Sequence, residues 1–453
     1  MTKSLRVTKA LGLAVAAAAL LGAAPAALAE ESQFGCKYLA ENPTLPSVEG
    51  KEGFFFRVFA DLRMQHAMTD EVVSQLGQLS AALKAQGTTL IYVPIPTKSM
   101  TLPEFLPDDV HLYGFDEDVA VAVYDDQIRR LREKGLLAVD LLAPLRSNDA
   151  GNPPFYRSDF HWTSEGARRA AETIGATIKG LSDYADVTPV QFETVETGDE
   201  LSVSGMRRSL QAYCTENLPP VVTKAYVTSE VASEEAALDI FGGGGGSGEE
   251  GGSADEIALV GTSFSDADVP NFGGFLAQYA SLPVSNMAIT GGNQFGAITS
   301  YLTSRSFAES RPRFLVWENP IYNNLAQFGV GPMAELIAAA TNDCEPLPAK
   351  PEATDTPGEI RVDLSGTAID RSKVLLADAG DTNSRDIHLS FHTPDGKTLT
   401  HEIRRGPRFL ATGRFYIPLE PLTEDKFSDV VIKFDRANPD EAMVSFCSLH
   451  QQG

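Results

Sequence analysis

The sequence predicts an α/β fold, a parallel sheet flanked by helices, followed by a small C-terminal β-sandwich. Over residues 69–86 and 115–134, apolar residues recur at helical spacing. Each run is followed by a short apolar segment, 89–95 and 136–141, that reads as a buried strand. Further on, segments 257–260, 283–289 and 313–317 repeat the pattern, with helix-like stretches such as 271–281 between them. Strand alternating with helix implies parallel pairing, which places functional loops at the carboxyl ends of the strands. Beyond residue 358 the texture changes to short alternating segments at 360–364, 387–392, 398–403, 414–417 and 430–434, separated by turns such as Pro394-Asp395-Gly396. These predict the sandwich.

At the N-terminus, Lys3, Arg6 and Lys9 precede an Ala/Leu-rich run, and Ala27-Leu28-Ala29 supplies small residues where a signal peptidase reads. Residues 1–29 therefore read as a secretory signal peptide, without the cysteine that a lipoprotein needs at the cut. No later stretch has the roughly 20 consecutive apolar residues of a membrane-spanning helix. The chain has 37 Lys+Arg against 61 Asp+Glu, and losing the three basic residues of the leader moves the net charge from −24 to −27. Nucleic acid is not an expected partner, since phosphate binding needs a basic surface.

Residues 241–252, FGGGGGSGEEGG, read as a flexible surface loop. They lack the GK[ST] ending of a phosphate cradle. Pro346, Pro348, Pro351 and Pro357 mark residues 345–358 as a linker. The expected organisation is thus a leader (1–29), an α/β domain (30–344), the linker and a β-sandwich (359–453). Four widely spaced cysteines in an exported chain read as disulfides. Of the three pairings, Cys36 with Cys214 and Cys344 with Cys447 is favoured.

The chemistry-bearing residues fall on two loops. Asp159-Phe160-His161-Trp162-Thr163 precedes the helical run SEGARRAAETI, with Thr163 or Ser164 as its N-cap. Residues two apart in an extended or turning segment share a side, so the Asp159 carboxylate can fix the tautomer of the His161 imidazole, as a general base requires. Gly261-Thr262-Ser263-Phe264-Ser265 directly follows the strand-like 257–260. A serine on such a turn projects its hydroxyl into the crevice, with backbone N–H groups nearby to hold an oxyanion. Ser263 is the expected nucleophile, and Ser265 competes from further along the turn.

Strand-GTSFS, Asn286-Met287-Ala288-Ile289-Thr290-Gly291-Gly292 and D-x-H-W-T together resemble the SGNH-hydrolase-like alginate O-acetyltransferases. The resemblance implies Ser263 as nucleophile, His161 as general base and Asp159 as its orienting acid. It further implies Gly291 as a backbone donor to the oxyanion hole and Tyr322 as an active-site tyrosine. The G-x-N-D block of typical SGNH hydrolases is not evident near Asn319, which leaves the side-chain oxyanion donor open between Asn293 and Asn319. By the same resemblance the sandwich is a carbohydrate-binding module, and the protein works in the periplasm among alginate-export proteins. Acetyl would be relayed from a membrane acyltransferase, with no cofactor.

For the polymer, His401, Arg404, Arg405, Arg408 and Arg414 cluster with Phe409 and Phe415 in an otherwise acidic chain, and guanidinium groups pair well with uronate carboxylates. Lys98, after the segment ending at Ile95, is expected to face the same crevice. The remaining histidines show no metal-ligand spacing, so no catalytic metal is expected. A carbohydrate acetyl esterase with the same triad, an acetyltransferase for another polymer, and a non-catalytic polysaccharide-guiding component of an export complex remain open readings.

Overall fold

The computed structural model describes residues 32–64, 66, 68–231, 255–380, 384–424, 426–438 and 440–449. The expected signal peptide and the glycine-rich segment 241–252 lie outside them. Five parallel strands form the central sheet in the order Leu137–Ala138, Thr89–Ile95, Phe314–Pro320, Ile257–Val260 and Val284–Asn286. Helices on both faces make its strands continuous apolar runs, which is why 89–95 and 257–260 were legible to the residue. The helices Asp70–Ala85, Glu117–Glu133 and Ser164–Lys179 begin where Thr69, Asp116 and Thr163 each accept a backbone N–H from the first turn. Because the strands are parallel, the loops after Ile95, Val260, Asn286 and Pro320 open on one edge.

The C-terminal region is two packed antiparallel sheets. One runs Cys344–Pro346, Met443–Ser448, Lys373–Asp378, Arg414–Pro418; the other runs Glu352–Ala353, Glu359–Asp363, Asp429–Phe434, Asp386–His392, Thr398–Arg404. Residues 345–358, expected as a linker, thus carry parts of two edge strands. Pro346 is tolerated in the first of them because an edge strand leaves N–H groups unpaired. Leu375, Ile387, Leu389, Phe391, Phe415, Ile417 and Ile432 fill the space between the sheets. From the outer face of the first sheet, Val374, Leu376 and Tyr416 pack into the core of the α/β region, against the helix Gly331–Thr341.

Buried charge accompanies that contact. Arg405 donates to Glu335 Oε1 (2.6 Å) and Thr412 Oγ1 (2.8 Å), with its side chain 2% exposed. Asp378 accepts from Arg305 (2.8 Å) and lies 3.5 Å from Arg414, which also donates to the Tyr416 hydroxyl (2.8 Å). Arg405 and Arg414 were expected to meet polysaccharide. They are instead consumed at the contact between the two regions, where an unpaired guanidinium would be costly to bury.

Both expected bridges are present, Cys36–Cys214 and Cys344–Cys447. The second joins facing residues of the neighbouring strands Cys344–Pro346 and Met443–Ser448. The first braces a small cluster of Leu39, Phe55, Met206, Leu210 and Leu218. An antiparallel ribbon, Phe192–Leu201 with Val222–Glu230, was not foreseen; its strands are mostly exposed and carry no sustained apolar alternation.

Arg405→Met leaves the Glu335 carboxylate buried without its partner and is expected to cost about 3–5 kcal/mol. Urea unfolding checks this, and the double change with Glu335→Met should recover most of the loss.

Candidate active site

The bend carrying Asp159 and His161 is closed at its base by the bridge between Phe155 and Trp162 and by the bond from Tyr156 N to His161 O (3.1 Å). Trp162 is fully buried, and its indole N–H donates to Phe264 O (2.8 Å), tying this bend to the turn that bears Ser263. Within the bend, Asp159 Oδ1 accepts from the His161 backbone N–H (2.8 Å) and meets Nδ1 at 2.6 Å. His161 Nε2 lies 2.7 Å from Ser263 Oγ. An ionised carboxylate only accepts, so Nδ1 carries the proton and Nε2 is free to take one from the serine. Asp159 stays ionised. Burial pushes its pKa up, but hydrogen bonds from His161 and from Ser204, with the His161 charge, outweigh burial and hold it at about 2.

Ser204 has no counterpart in the sequence reading. Its hydroxyl donates to Asp159 Oδ2 while accepting from Arg207 N (2.9 Å) as the cap of the helix Gly205–Gln211. Cys214 follows that helix, so the Cys36–Cys214 bridge braces the element that presents Ser204.

Beneath Ser263 lies a second unforeseen group, the fully buried Glu318. Its carboxylate accepts from Thr262 N (2.7 Å), Thr262 Oγ1 (3.0 Å) and Ser265 Oγ (2.9 Å). Ser265, the competing nucleophile, is therefore buried and committed to Glu318. Gly261 is required here because a Cβ would sit 2.4 Å from Glu318 Oε2. Burial raises Glu318 to about 7 against those hydrogen bonds. A carboxylate inside the apolar run Phe314–Pro320 was the available sequence signal.

Phe160 stacks on the His161 ring at 4.0 Å. The Arg57 guanidinium packs 4.0 Å from Phe160 and 4.4 Å from Tyr322, while Asp61 accepts from it at 3.0 and 3.1 Å. Burial, with Asp61 and Glu318 adding to it and Arg57 opposing, pushes Tyr322 up to about 12, so its phenol remains a neutral donor.

Gly291 adopts φ 72°, and Arg408 from the C-terminal region lies against it, donating to the Thr290 carbonyl. Ser263 N, at the first position of the helix Ser263–Asp266, is one of the N–H groups that a helix leaves without an internal acceptor. Asn293 is exposed, and its side-chain oxygen accepts from Phe295 N (2.9 Å). Asn319 is buried, donates to the Tyr92 hydroxyl (3.0 Å) and accepts from Asn323 (3.3 Å). Gly291, Asn293, Phe295, Phe328, Arg404 and Arg408 line a cavity of about 470 Å³ between the two regions. Arg404 is exposed beside Glu402 (2.6 Å).

Lys98 departs from expectation. It is 1% exposed, and its ammonium donates to the backbone carbonyls of Phe55 (2.9 Å), Tyr156 (2.6 Å), Arg157 (2.9 Å) and Asp159 (3.0 Å). Burial pulls it down to about 7 against the attraction of Asp61 and Asp159. It faces no substrate.

Residues 48–321 match the family model of the SGNH hydrolase-like domain of acetyltransferase AlgX. The chain belongs to the AlgX family. The alginate biosynthesis protein AlgX of Pseudomonas aeruginosa is 30% identical over 332 residues, 70% of this chain and 67% of that protein. AlgX of Azotobacter vinelandii is 30% identical across 86% and 75% of the two chains. The probable alginate O-acetylase AlgJ of P. aeruginosa is 30% identical across 58% and 67%. The solved structure of P. aeruginosa AlgX superposes with a TM-score of 0.73 at 23% identity, covering 92% of this chain and 97% of that one. The AlgX fold thus extends through the C-terminal sheets.

A raised Glu318 means that between pH 4.5 and 7 the folded chain keeps a proton that the unfolded chain has released, so stability falls as pH rises through that window. Glu318→Gln removes this slope. In urea unfolding, the stability of wild type relative to the variant should decline from pH 4.5 to about 7 and level off above; a flat difference contradicts the assignment.

Proposed function

We propose that the chain is a periplasmic O-acetyltransferase, exported by its residues 1–29, that moves acetyl groups through an acyl-serine onto hydroxyls of alginate or a related uronate polymer. The observation that carries this reading is the hydrogen-bonded series Asp159, His161, Ser263; an interregional cavity lined by Gly291, Arg404 and Arg408 supports the polymer site. The relatives named as alginate biosynthesis protein and probable alginate O-acetylase support the polymer assignment.

In the first half-reaction Ser263 Oγ attacks the acetyl carbonyl as its proton passes to His161 Nε2. Asp159 stabilises the imidazolium, and the N–H groups of Ser263 and Gly291 hold the oxyanion. Collapse of the tetrahedral adduct returns the proton to the departing group of the donor, supplied by a membrane acyltransferase of the export assembly. In the second half a sugar hydroxyl gives its proton to His161 and attacks the acetyl-serine, and as the adduct collapses His161 returns that proton to Ser263 Oγ, releasing the ester and free Ser263. The exposed Arg404 and Arg408 pair with uronate carboxylates along the cavity, with residues 359–453 acting as a carbohydrate-binding module. Tyr322, held by Arg57, donates to the bound substrate. Asn293 would reach an oxyanion only through its amide nitrogen, since its oxygen is engaged by Phe295 N.

Intact-mass measurement with an activated acetyl ester and mannuronate oligomers tests the proposal. Acetylated oligomers are expected from wild type and none from Ser263→Ala, with Asp159→Asn slowed by about 10⁴-fold. An acetyl-enzyme releasing only acetate in the presence of oligomers would identify an esterase, and absence of acetylation in folded protein would leave a polymer-binding component.

A further inference from the structure

Four carbonyl oxygens converging on one buried point repel one another unless a positive charge stands between them. Around Lys98 Nζ that arrangement comes from two separate stretches of chain. Phe55 O belongs to the strand Phe55–Arg57, whereas Tyr156, Arg157 and Asp159 belong to the bend that ends in His161. The rings of Phe54 and Phe56 flank the ammonium at 5.4 Å, with no water-facing side. An ammonium has three N–H bonds for four acceptors, so the site coordinates it as a small cation rather than as a set of one-to-one hydrogen bonds.

We propose that Lys98 is the built-in counter-cation of the catalytic bend, a positioning residue whose carbonyl cage accepts a free monovalent cation when the lysine is shortened. This rests on the reading of Asp159, His161 and Ser263 as the catalytic series. Asp159 is pinned at both ends, by its carbonyl to Lys98 and by its carboxylate to His161. Phe55 leads directly to Arg57, which packs against Phe160 and Tyr322, so the same cation registers the bend against the aromatic wall of the site. Without the charge the carbonyls separate, and Asp159 leaves its 2.6 Å approach to Nδ1.

The test compares wild type, Lys98→Ala and Lys98→Met in ammonium chloride and in choline chloride at equal ionic strength. Two readouts are taken, the rate of Ser263 acetylation by p-nitrophenyl acetate and hydrogen exchange over residues 155–163. In choline both variants should acetylate at least about 10-fold more slowly, the scale expected when a reacting group is misplaced by a fraction of an ångström. Ammonium should restore the rate and the protection in Lys98→Ala alone, since in Lys98→Met the cage is filled by a neutral chain. A general loss of stability would not answer to ammonium in this selective way. Wild-type rate and protection in Lys98→Met, or indifference of Lys98→Ala to ammonium, overturns the proposal. If wild type itself is not acetylated, the catalytic reading fails, and exchange protection still decides the cage. Should Lys98→Met not fold, ammonium-dependent recovery in Lys98→Ala decides it; failure of Lys98→Ala to fold in both salts overturns it.

Discussion

A hydrogen bond between His161 Nε2 and Ser263 Oγ has to be held across two loops 102 residues apart in sequence, and much of the surrounding polar structure follows from that requirement. A serine hydroxyl loses its alignment with an imidazole over a fraction of an ångström, so both loops must be fixed from behind. On the serine side the buried Glu318 gathers Thr262 and Ser265 beneath the turn. On the histidine side Lys98 gathers the carbonyls of the bend, and Ser204 fixes the second oxygen of Asp159. Trp162 then bonds one loop to the other through Phe264. Glu318, Lys98 and Trp162 are polar groups taken out of water and hydrogen-bonded, and the half-buried Ser204 both donates and accepts, which is how a rigid polar site is made inside an apolar fold.

The C-terminal sheets belong to the same construction. Their outer face is packed on the helix Gly331–Thr341, and the pair Arg405 with Glu335 sets the register of that contact. With the contact made, the segment just beyond Arg405 passes over Gly291, so Arg408 stands beside a backbone donor proposed for the oxyanion. A module that binds polymer on this chain would thereby share a wall with the chemistry rather than act as a remote anchor.

Local patterns were readable and long-range ones were not. The strands 89–95 and 257–260 carried a clear apolar signature because both faces are buried, and D-x-H followed by a helix cap announced its own geometry. Lys373–Asp378 was missed for a related reason, since burial on both faces removes the alternation that marks a sandwich strand. Lys98 was misread because position after a sheet strand does not say whether a side chain turns into the crevice or under it. Arg405 and Arg414 were misassigned because a basic cluster looks the same whether it meets a polymer or the buried acids Glu335 and Asp378, which lie outside that cluster in the sequence. Ser204 left no trace, as its role depends on a contact 45 residues away.

The most direct measurement is the site of covalent attack by a sulfonyl fluoride, located by peptide mapping in wild type and in His161→Ala. A single adduct on Ser263, with Ser265 untouched and the reaction nearly lost in the variant, is the predicted result. An adduct on another serine, or equal labelling of Ser263 without His161, would contradict it.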